Sequence, residues 1–300
     1  MLRSTSINSR RDTPAEFFKM AGGGNDFVIF DNRSGTITSP ESLARIMCTR
    51  RLSVGADGLI LVENSARGTF RMRYFNSDGS AADFCANGTR CAARFAFLNV
   101  IAQRKMTIET DAGMIGAEVV EQSITLSLPP PRDFRREVRI TTDGATVRGS
   151  YILMGVPHYV IFLRGDIWSQ EIEPLGRVIR FHPILQPEGA NVNFVLVRDR
   201  HAIDVRTYER GVEAETLSCG SGVLSSVSVS ALFGKVESPV TVKTRSGIEF
   251  QVAFRVAGSG QDQSVEELRL TGDARLIYRA QLTPETTEGF DPDWVRNPVL

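Results

Sequence analysis

The chain repeats one pattern, and this repeat constrains the fold more than any other feature. In YFNSDGSAADFCANGTRCAARF, a strand-like segment is followed by an acidic loop, Cys85, a glycine-containing turn and a helical segment. The same order recurs around Cys219, in YERGVEAETLSCGSGVLSSVSV. Because 85–88 aligns with 219–222, we expect two similarly built halves, each presenting one cysteine at the start of a helix.

Short apolar or alternating segments predominate elsewhere, and such segments are typical of strands. Four segments instead favour helices: SPESLARIMCTRR with Ser39 as N-cap, a segment after Cys85, IEPLGRVIRF, and a segment after Cys219. The pattern starts again after the proline cluster PPPRDF at 129–134. The sequence therefore predicts an α+β fold with two pseudo-symmetric lobes.

The predicted lobes have the following boundaries. The N-terminal lobe spans 15–131 and regains a returning strand at 273–283, and the C-terminal lobe spans 132–272. Residues 1–14 and 284–300 are rich in polar and turn-forming residues, which predicts flexible tails. The first tail is also Arg/Ser-rich, so an organelle-targeting segment is the alternative to a disordered extension.

Charge and hydropathy exclude several classes of partner. Thirty-five basic and 35 acidic residues give zero net charge, which offers no electrostatic basis for binding nucleic acid or an acidic membrane. No apolar run approaches the ~20 residues needed to span a bilayer, and the N-terminus lacks a secretory apolar region. We expect a cytoplasmic protein that acts on a small molecule.

Cysteine usage argues against disulfides and metals. The chain has only four cysteines, which a reducing compartment would keep as thiols. Cys85 and Cys91 lack the spacing of a zinc motif, and the three histidines form no ligand pair. We therefore predict no metal. Ala21-Gly-Gly-Gly24 resembles a phosphate loop, but the strand-like FVIF that soon follows indicates a strand-to-strand turn.

The two cysteines suit acid–base chemistry. A helix N-terminus presents N–H groups without intrahelical partners, which bind a carboxylate and stabilise a thiolate. If Cys85 and Cys219 face each other across a bound amino acid, one thiolate removes the α-proton and the other thiol returns a proton to the opposite face. Such a reaction needs no cofactor. The alternative for a single cysteine is core packing, but its repeated setting favours chemistry.

Several segments together resemble the diaminopimelate epimerase family. They are KMAGGGNDFVIFDN, VGADGLILV, YFNSDGSAADFCANGTRCAARF, MGVPH, GANVNFV and YERGVEAETLSCGSG, and the resemblance runs from about Phe17 to about Tyr278. It implies lobes in which a curved, mostly antiparallel sheet wraps a central helix. It also implies a cofactor-free homodimer that interconverts LL- and meso-diaminopimelate for lysine and peptidoglycan synthesis.

The resemblance also implies roles for individual residues. Cys85 and Cys219 would be the acid/base pair, His158 and Glu209 would tune their pKa, and Tyr278 would lie at the dimer interface. The substrate contacts would be Asn25, Asn76, Ala86, Asn87, Asn191, Glu209, Arg210, Gly220 and Ser221.

One departure from the family pattern bears on the substrate. Val156 replaces an asparagine of the family's MGNPH, which removes a hydrogen-bonding partner for the distal end of the substrate. A racemase or epimerase of proline, hydroxyproline or histidine type therefore remains an alternative. An inactive ligand-binding or redox-sensing protein with a reversible Cys85–Cys219 disulfide is a third.

Overall fold

The computed structural model describes residues 16–142 and 144–287, which fall into two compact units. The first unit comprises residues up to Ile124 together with those from Ala274 onward, and the second comprises Thr125–Asp273. The predicted tail at 1–14 lies outside the described residues, as do residues 288–300 of the predicted C-terminal tail. Within the described part of that tail, Pro284–Thr287 form a helical turn.

The first stretch of chain supplies most of the first unit. Its elements are β1 (Glu16–Gly22), β2 (Asn25–Asp31), α1 (Pro40–Met47), β3 (Gly58–Glu63), β4 (Phe70–Asn76), β5 (Ala81–Ala82), α2 (Ala86–Leu98), β6 (Lys105–Thr110) and β7 (Gly113–Val120). The next strand, β8 (Ser123–Ser127), includes the boundary between the two units. β1 and β2 form a hairpin, β3 runs parallel to β2, and β4 runs antiparallel to β3. β6 then lies parallel to β4 and antiparallel to β7.

The second unit repeats this succession. Its elements are β9 (Arg132–Thr142), β10 (Ala145–Met154), β11 (Val156–Phe162), α3 (Glu173–Arg180), β12 (Asn191–Asp199), β13 (Ala202–Glu209), β14 (Ala214–Thr216), α4 (Gly220–Leu232), β15 (Val240–Lys243), β16 (Glu249–Ala257) and β17 (Ser264–Asp273). β10 and β11 form a hairpin, β12 is parallel to β11, and β13 is antiparallel to β12. β15 lies parallel to β13 and antiparallel to β16.

The last elements within the described residues are β18 (Arg275–Gln281) and α5 (Pro284–Thr287). β18 pairs antiparallel with β1 in the first unit, just as β9 pairs antiparallel with β10 in the second. The two units therefore share their order of elements and their pairing scheme. This confirms the predicted α+β fold with two similarly built halves.

Each unit encloses one central helix. α2 packs against β1, β2 and β7, and α4 packs against β10 to β13, β16 and β17. Every residue of α4 except Ser221 is buried, as expected for a helix surrounded on all sides. The prediction of a sheet wrapped around a central helix is thus confirmed in both units.

A second apolar layer covers the outer face of each sheet. In the first unit α1 places Ala44 and Met47 against Val28 and Leu59. In the second unit α3 places Ile179 in a cluster with Val192 and Phe194. Because both faces of these strands are covered, the residues that point to either face of the sheet are buried.

Two glycines make the turn between β1 and β2. Gly23 and Gly24 have φ values of 61° and 91°, the left-handed region in which a side chain is disfavoured. Positive φ at both positions is the signature of the tightest hairpin turns. The segment is therefore a strand-to-strand turn, as predicted.

Among the described residues, no helix has the length and apolar character needed to cross a membrane.

Candidate functional site

Cys85 and Cys219 occupy the same local position in the two units. Each is the N-cap of the central helix, with extended backbone angles (φ −143°, ψ 110° and φ −125°, ψ 111°). The Gly88 N–H donates to the Cys85 Sγ at 3.4 Å, and the Cys219 Sγ lies 3.4 Å from the Ser221 hydroxyl. Each sulfur therefore lies in the positive field of a helix N-terminus, which favours a thiolate.

The first turn of α2 is tied to the β1–β2 hairpin by a chain of side-chain hydrogen bonds. Arg90 Nη2 donates to Asn87 Oδ1 at 2.6 Å, Asn87 Nδ2 donates to Asn25 Oδ1 at 2.7 Å, and Asn25 Nδ2 donates to Asp57 Oδ2 at 2.9 Å. Arg90 and Asn87 are buried. The predicted residues Asn25 and Asn87 are thus brought together, and their amide orientations are set by this chain.

Gly23 allows the β1–β2 hairpin to approach these hydrogen-bonded side chains closely. A Cβ at Gly23 would lie 2.6 Å from Asn87 Oδ1 and 2.8 Å from Arg90 Nη2. Because both groups are held by hydrogen bonds, neither can move aside without cost. The glycine-rich turn therefore serves the contact between β1–β2 and the helix N-terminus.

An ion cluster that the sequence analysis missed supports Asn25 from the other side. Asp26 Oδ2 lies 2.7 Å from Lys19 Nζ, and Arg50 Nη2 lies 2.6 Å from Asp26 Oδ1 and 2.8 Å from Asp57 Oδ1. Lys19 also donates to the Gly55 carbonyl. The cluster holds the Asp57 carboxylate that accepts from Asn25. Its partners lie far apart along the chain, so no local pattern reveals it.

Asn76 lies at the end of β4, opposite Gly58. Its amide Nδ2 contacts the Ser80 hydroxyl at 3.0 Å, and its N–H donates to the Ser80 carbonyl at 2.8 Å. These contacts shape the turn that leads to β5. The described contacts of Asn76 are thus with the turn, so its assignment to substrate binding stays a prediction.

In the second unit, Asn191 and Arg210 lie side by side. The Arg210 N–H donates to Asn191 Oδ1 at 2.7 Å, and Arg210 Nη1 donates to the Glu188 carbonyl at 3.2 Å. Glu209 ends β13 and, like Arg210, is partly exposed. The predicted Asn191, Glu209 and Arg210 are therefore brought together at the same end of β12 and β13.

His158 is fully buried beside this group. Its Nε2 lies 3.5 Å from Asn191 Nδ2, and its Nδ1 lies 3.0 Å from Asn193 Nδ2. Burial lowers the pKa of His158 to about 3, and the Arg210 cation acts in the same direction. At neutral pH the imidazole is therefore uncharged, and it acts on its surroundings through hydrogen bonds.

A buried ion pair positions the segment that leads to Cys219. Arg206 Nε and Nη2 donate to the two Glu215 oxygens, each at 2.6 Å, and Arg206 Nη1 donates to the carbonyls of Ile167 and Gln170. This bidentate geometry fixes β14 against β13, only a few residues before Cys219.

The other two cysteines, Cys48 and Cys91, belong to the core. Cys48 is 2% exposed and Cys91 is fully buried. Burial raises the pKa of the Cys48 thiol to about 12, which makes it a poor proton donor or nucleophile at neutral pH. Cys48 is the C-cap of α1, and Cys91 lies inside α2, so only Cys85 and Cys219 among the four lie at helix N-termini.

Tyr278 lies on β18, with its ring 6.2 Å from that of Phe17. Its neighbours Leu276 and Ile277 are also exposed, at 38% and 54%, and Tyr278 is exposed at 42%.

The second unit holds two further residues that sequence analysis missed, Asn193 and Thr207. The Asn-x-Asn spacing of 191 and 193 on one strand face was the available signal, since alternate strand residues share a face.

Solved structures define the class to which this fold belongs. A hydroxyproline epimerase from Agrobacterium vitis, crystallised with trans-4-hydroxy-L-proline, superposes with a TM-score of 0.71 and covers 96% of each chain. The two sequences are 14% identical, so this likeness establishes the fold alone. This chain and the hydroxyproline epimerase therefore share a fold.

Sequence relatives define the family within this class. The diaminopimelate epimerase family model matches residues 17–128 and 150–261. The diaminopimelate epimerase of Aquifex aeolicus is 42% identical over 286 residues, covering 91% of this chain and 99% of the relative. That of Hydrogenobaculum sp. is 40% identical over 243 residues, covering 76% and 87%. The chain belongs to the diaminopimelate epimerase family, as its motifs indicated, and it is an isomerase.

Proposed function

We propose that this protein epimerises LL-diaminopimelate to meso-diaminopimelate, with Cys85 and Cys219 as the two acid–base groups and without a cofactor. The observation that carries the proposal is the repeated cap: each unit places one cysteine at the N-terminus of its buried central helix. The family's activity supplies the substrate. A reaction that inverts a stereocentre needs one proton carrier for each face, which matches two equivalent cysteines.

In the proposed reaction one thiolate takes the α-proton, and the other thiol gives a proton to the opposite face. The developing carbanion transfers charge to the α-carboxylate. The N–H groups of Ala86, Asn87, Gly220 and Ser221, which lie in the first turns of α2 and α4, suit this charge. Loss of one such donor in other enzymes costs about 2.7 to 4 kcal/mol of barrier stabilisation.

The remaining predicted residues are proposed to hold the distal end of the substrate. Arg210 offers a planar cation for the distal carboxylate, and Glu209 offers a carboxylate for the distal ammonium. Asn25, Asn76 and Asn191 are proposed to donate or accept at the same end. His158 and Glu209 are proposed to tune the pKa values of the thiols, and the neutral state of His158 means that it does so without a positive charge.

The experiment that tests this proposal follows deuterium. The purified protein is incubated with LL-diaminopimelate in D2O under reducing conditions, and we expect meso product with deuterium at the α-carbon. Cys85→Ser and Cys219→Ser should each lower kcat by about 100-fold or more, the range that one acid–base group contributes. Cys91→Ala is the matched control, because Cys91 is buried within α2, the helix that Cys85 caps. Equal loss in all three variants would sink the assignment.

A second candidate is a racemase or epimerase of another amino acid, and Val156 favours it. Val156 begins β11, opposite Met154, where the family's asparagine would offer a hydrogen bond. Exchange in D2O with proline, hydroxyproline or histidine, and none with diaminopimelate, would select this candidate. If diaminopimelate is the substrate, Val156→Asn should lower its KM by about fivefold, near the net contribution of one hydrogen bond. An unchanged KM would mean that position 156 does not contact the substrate.

Exchange with no amino acid, combined with a reversible Cys85–Cys219 disulfide under mild oxidation, would instead support a redox-sensing role. We also propose that the protein acts in the cytoplasm, on the route to lysine and peptidoglycan, as a homodimer whose interface includes Tyr278.

A further inference from the structure

Three polar side chains form a buried row beneath the first turn of α4. The Thr207 hydroxyl donates to Asn193 Oδ1 at 3.0 Å, and Asn193 Nδ2 faces His158 Nδ1 at 3.0 Å. His158 and Asn193 are fully buried, and Thr207 is 2% exposed. Burying three polar groups is costly unless each is hydrogen-bonded, so the row has a defined geometry.

The row also touches the helix that carries Cys219. A Cβ at Gly222 would clash with Asn193 Oδ1 and would lie 2.9 Å from Thr207 Oγ1 and 3.3 Å from Cys219 Cβ. The first turn of α4 therefore rests on Asn193 and Thr207. Any change in the row reaches both His158 and the backbone next to the cysteine.

The first unit shows that the architecture does not require polar groups here. By strand register, Phe27 corresponds to His158, Ile60 to Asn193 and Tyr74 to Thr207, so two of the three polar positions are apolar in the first unit. There a Cβ at Gly88, the counterpart of Gly222, would meet the side chains of Ile60, Met72 and Phe27. Because apolar side chains serve at the counterparts of His158 and Asn193 in the same fold, the polar pair under α4 points to a role beyond packing.

We propose that Asn193, anchored by Thr207, is a positioning residue that keeps His158 as the neutral tautomer with its proton on Nε2. In the structure the Thr207 hydroxyl donates to the Asn193 oxygen, and the Asn193 NH2 group faces His158 Nδ1. An NH2 group only donates, and NH2 groups face both ring nitrogens. The Asn193 contact with Nδ1, at 3.0 Å, is within the ordinary hydrogen-bond range, whereas the Asn191 contact with Nε2, at 3.5 Å, is at its limit. Nδ1 is therefore the acceptor, which leaves the single imidazole proton on Nε2.

The tautomer determines what His158 offers to a ligand. Asn191 Oδ1 accepts from the Arg210 N–H, so the Asn191 NH2 group is the one that faces Nε2. Nε2–H and this NH2 are then both donors, a pair suited to an oxygen of the substrate rather than to each other. This step rests on the proposed function, whereas the tautomer itself does not.

The test is ¹⁵N NMR of the resting protein labelled at histidine, with His158→Phe used for assignment. The chain has only three histidines, so the signals are few. We expect a pyridine-type Nδ1 and a protonated Nε2 for His158. A protonated Nδ1 would overturn the proposal, whether or not the protein epimerises diaminopimelate.

Variants of the row sharpen the test. Thr207→Val frees the Asn193 amide to turn over, so part of the His158 population should move its proton to Nδ1, and kcat should fall about tenfold. Thr207→Ser should restore the wild-type spectrum. Thr271→Val removes a comparable hydroxyl contact in the same unit, with Thr125, and should leave the His158 signals unchanged. A Thr207→Val spectrum identical to wild type would refute the anchoring role.

Discussion

At the scale of single residues, this protein uses the same helix-cap position twice but surrounds it differently. Cys85 accepts a hydrogen bond from its own helix, whereas Cys219 contacts a neighbouring hydroxyl. Three residues after the first cap, Gly88 faces apolar side chains, whereas three residues after the second, Gly222 faces Asn193 and Thr207. The proposed reaction needs one thiolate and one thiol, and these differences between the two caps are consistent with it.

The buried His158 predicts how stability responds to acid. An unfolded imidazole takes up a proton below about pH 6.5, but the folded one stays neutral until about pH 3. Between these values the unfolded state binds more protons, so stability is lost as pH falls through this window. The free energy of unfolding, measured with urea at a series of pH values, should therefore fall with decreasing pH more steeply in wild type than in His158→Phe. The difference in this pH slope should be up to about 1.4 kcal/mol per pH unit.

His158→Phe copies the aromatic side chain that the first unit places at the same register position, Phe27. His201 is exposed, so His201→Gln should keep the wild-type slope. Equal slopes in wild type and His158→Phe would show that the imidazole is not held neutral by burial.

At the scale of elements, the two central helices differ in the small residues that they bury. α2 buries Ala92, Ala93 and Ala96, whereas α4 buries serines at 225, 226, 228 and 230. Ser230 donates to the Ser226 carbonyl. Among the described residues, the hydroxyl oxygens of Ser225, Ser226 and Ser228 have no hydrogen-bond partner. These hydroxyls cost stability without adding a contact.

We therefore expect Ser228→Ala and Ser226→Ala each to raise the free energy of unfolding by about 1 kcal/mol. Alanine is the better helix former, and the buried hydroxyl is removed. Ser230→Ala is the matched control, because it also removes a hydrogen bond and should give a smaller gain or a loss. Urea midpoints measure all three, and a loss at Ser228 equal to that at Ser230 would contradict the expectation.

At the scale of the whole molecule, β18 exposes a row of three consecutive apolar residues to solvent. Leu276, Ile277 and Tyr278 are 38%, 54% and 42% exposed. Adjacent exposed apolar residues on a strand often mark a protein interface. Such a row is consistent with the proposed homodimer.

Tyr278→Ala should therefore shift the protein from dimer to monomer at micromolar concentration in sedimentation velocity. Val178→Ala is the control, because Val178 is exposed to the same extent, 42%, on a helix of the other unit. A wild-type protein that sediments as a monomer, or a Tyr278→Ala variant that stays dimeric, would remove Tyr278 from the interface.

The sequence by itself determined the α+β class, the repeat, the helices after Cys85 and Cys219, and the family. These features are written in local spacing: strand periodicity, helix patterning and a cysteine before a glycine-containing turn. The turn at Gly23 and Gly24 was predictable for the same reason, since a strand pattern resumes directly after it.

Only the tertiary structure decided which distant residues meet. Asn87 reaches Asn25, 62 positions away, and Asn193 reaches His158, 35 positions away, because parallel strands and a buried helix bring these segments together. A hydrogen bond between distant residues leaves no periodic trace in the chain. The orientation of an amide, and with it the proton of His158, depends on such bonds and so appears only in the folded protein.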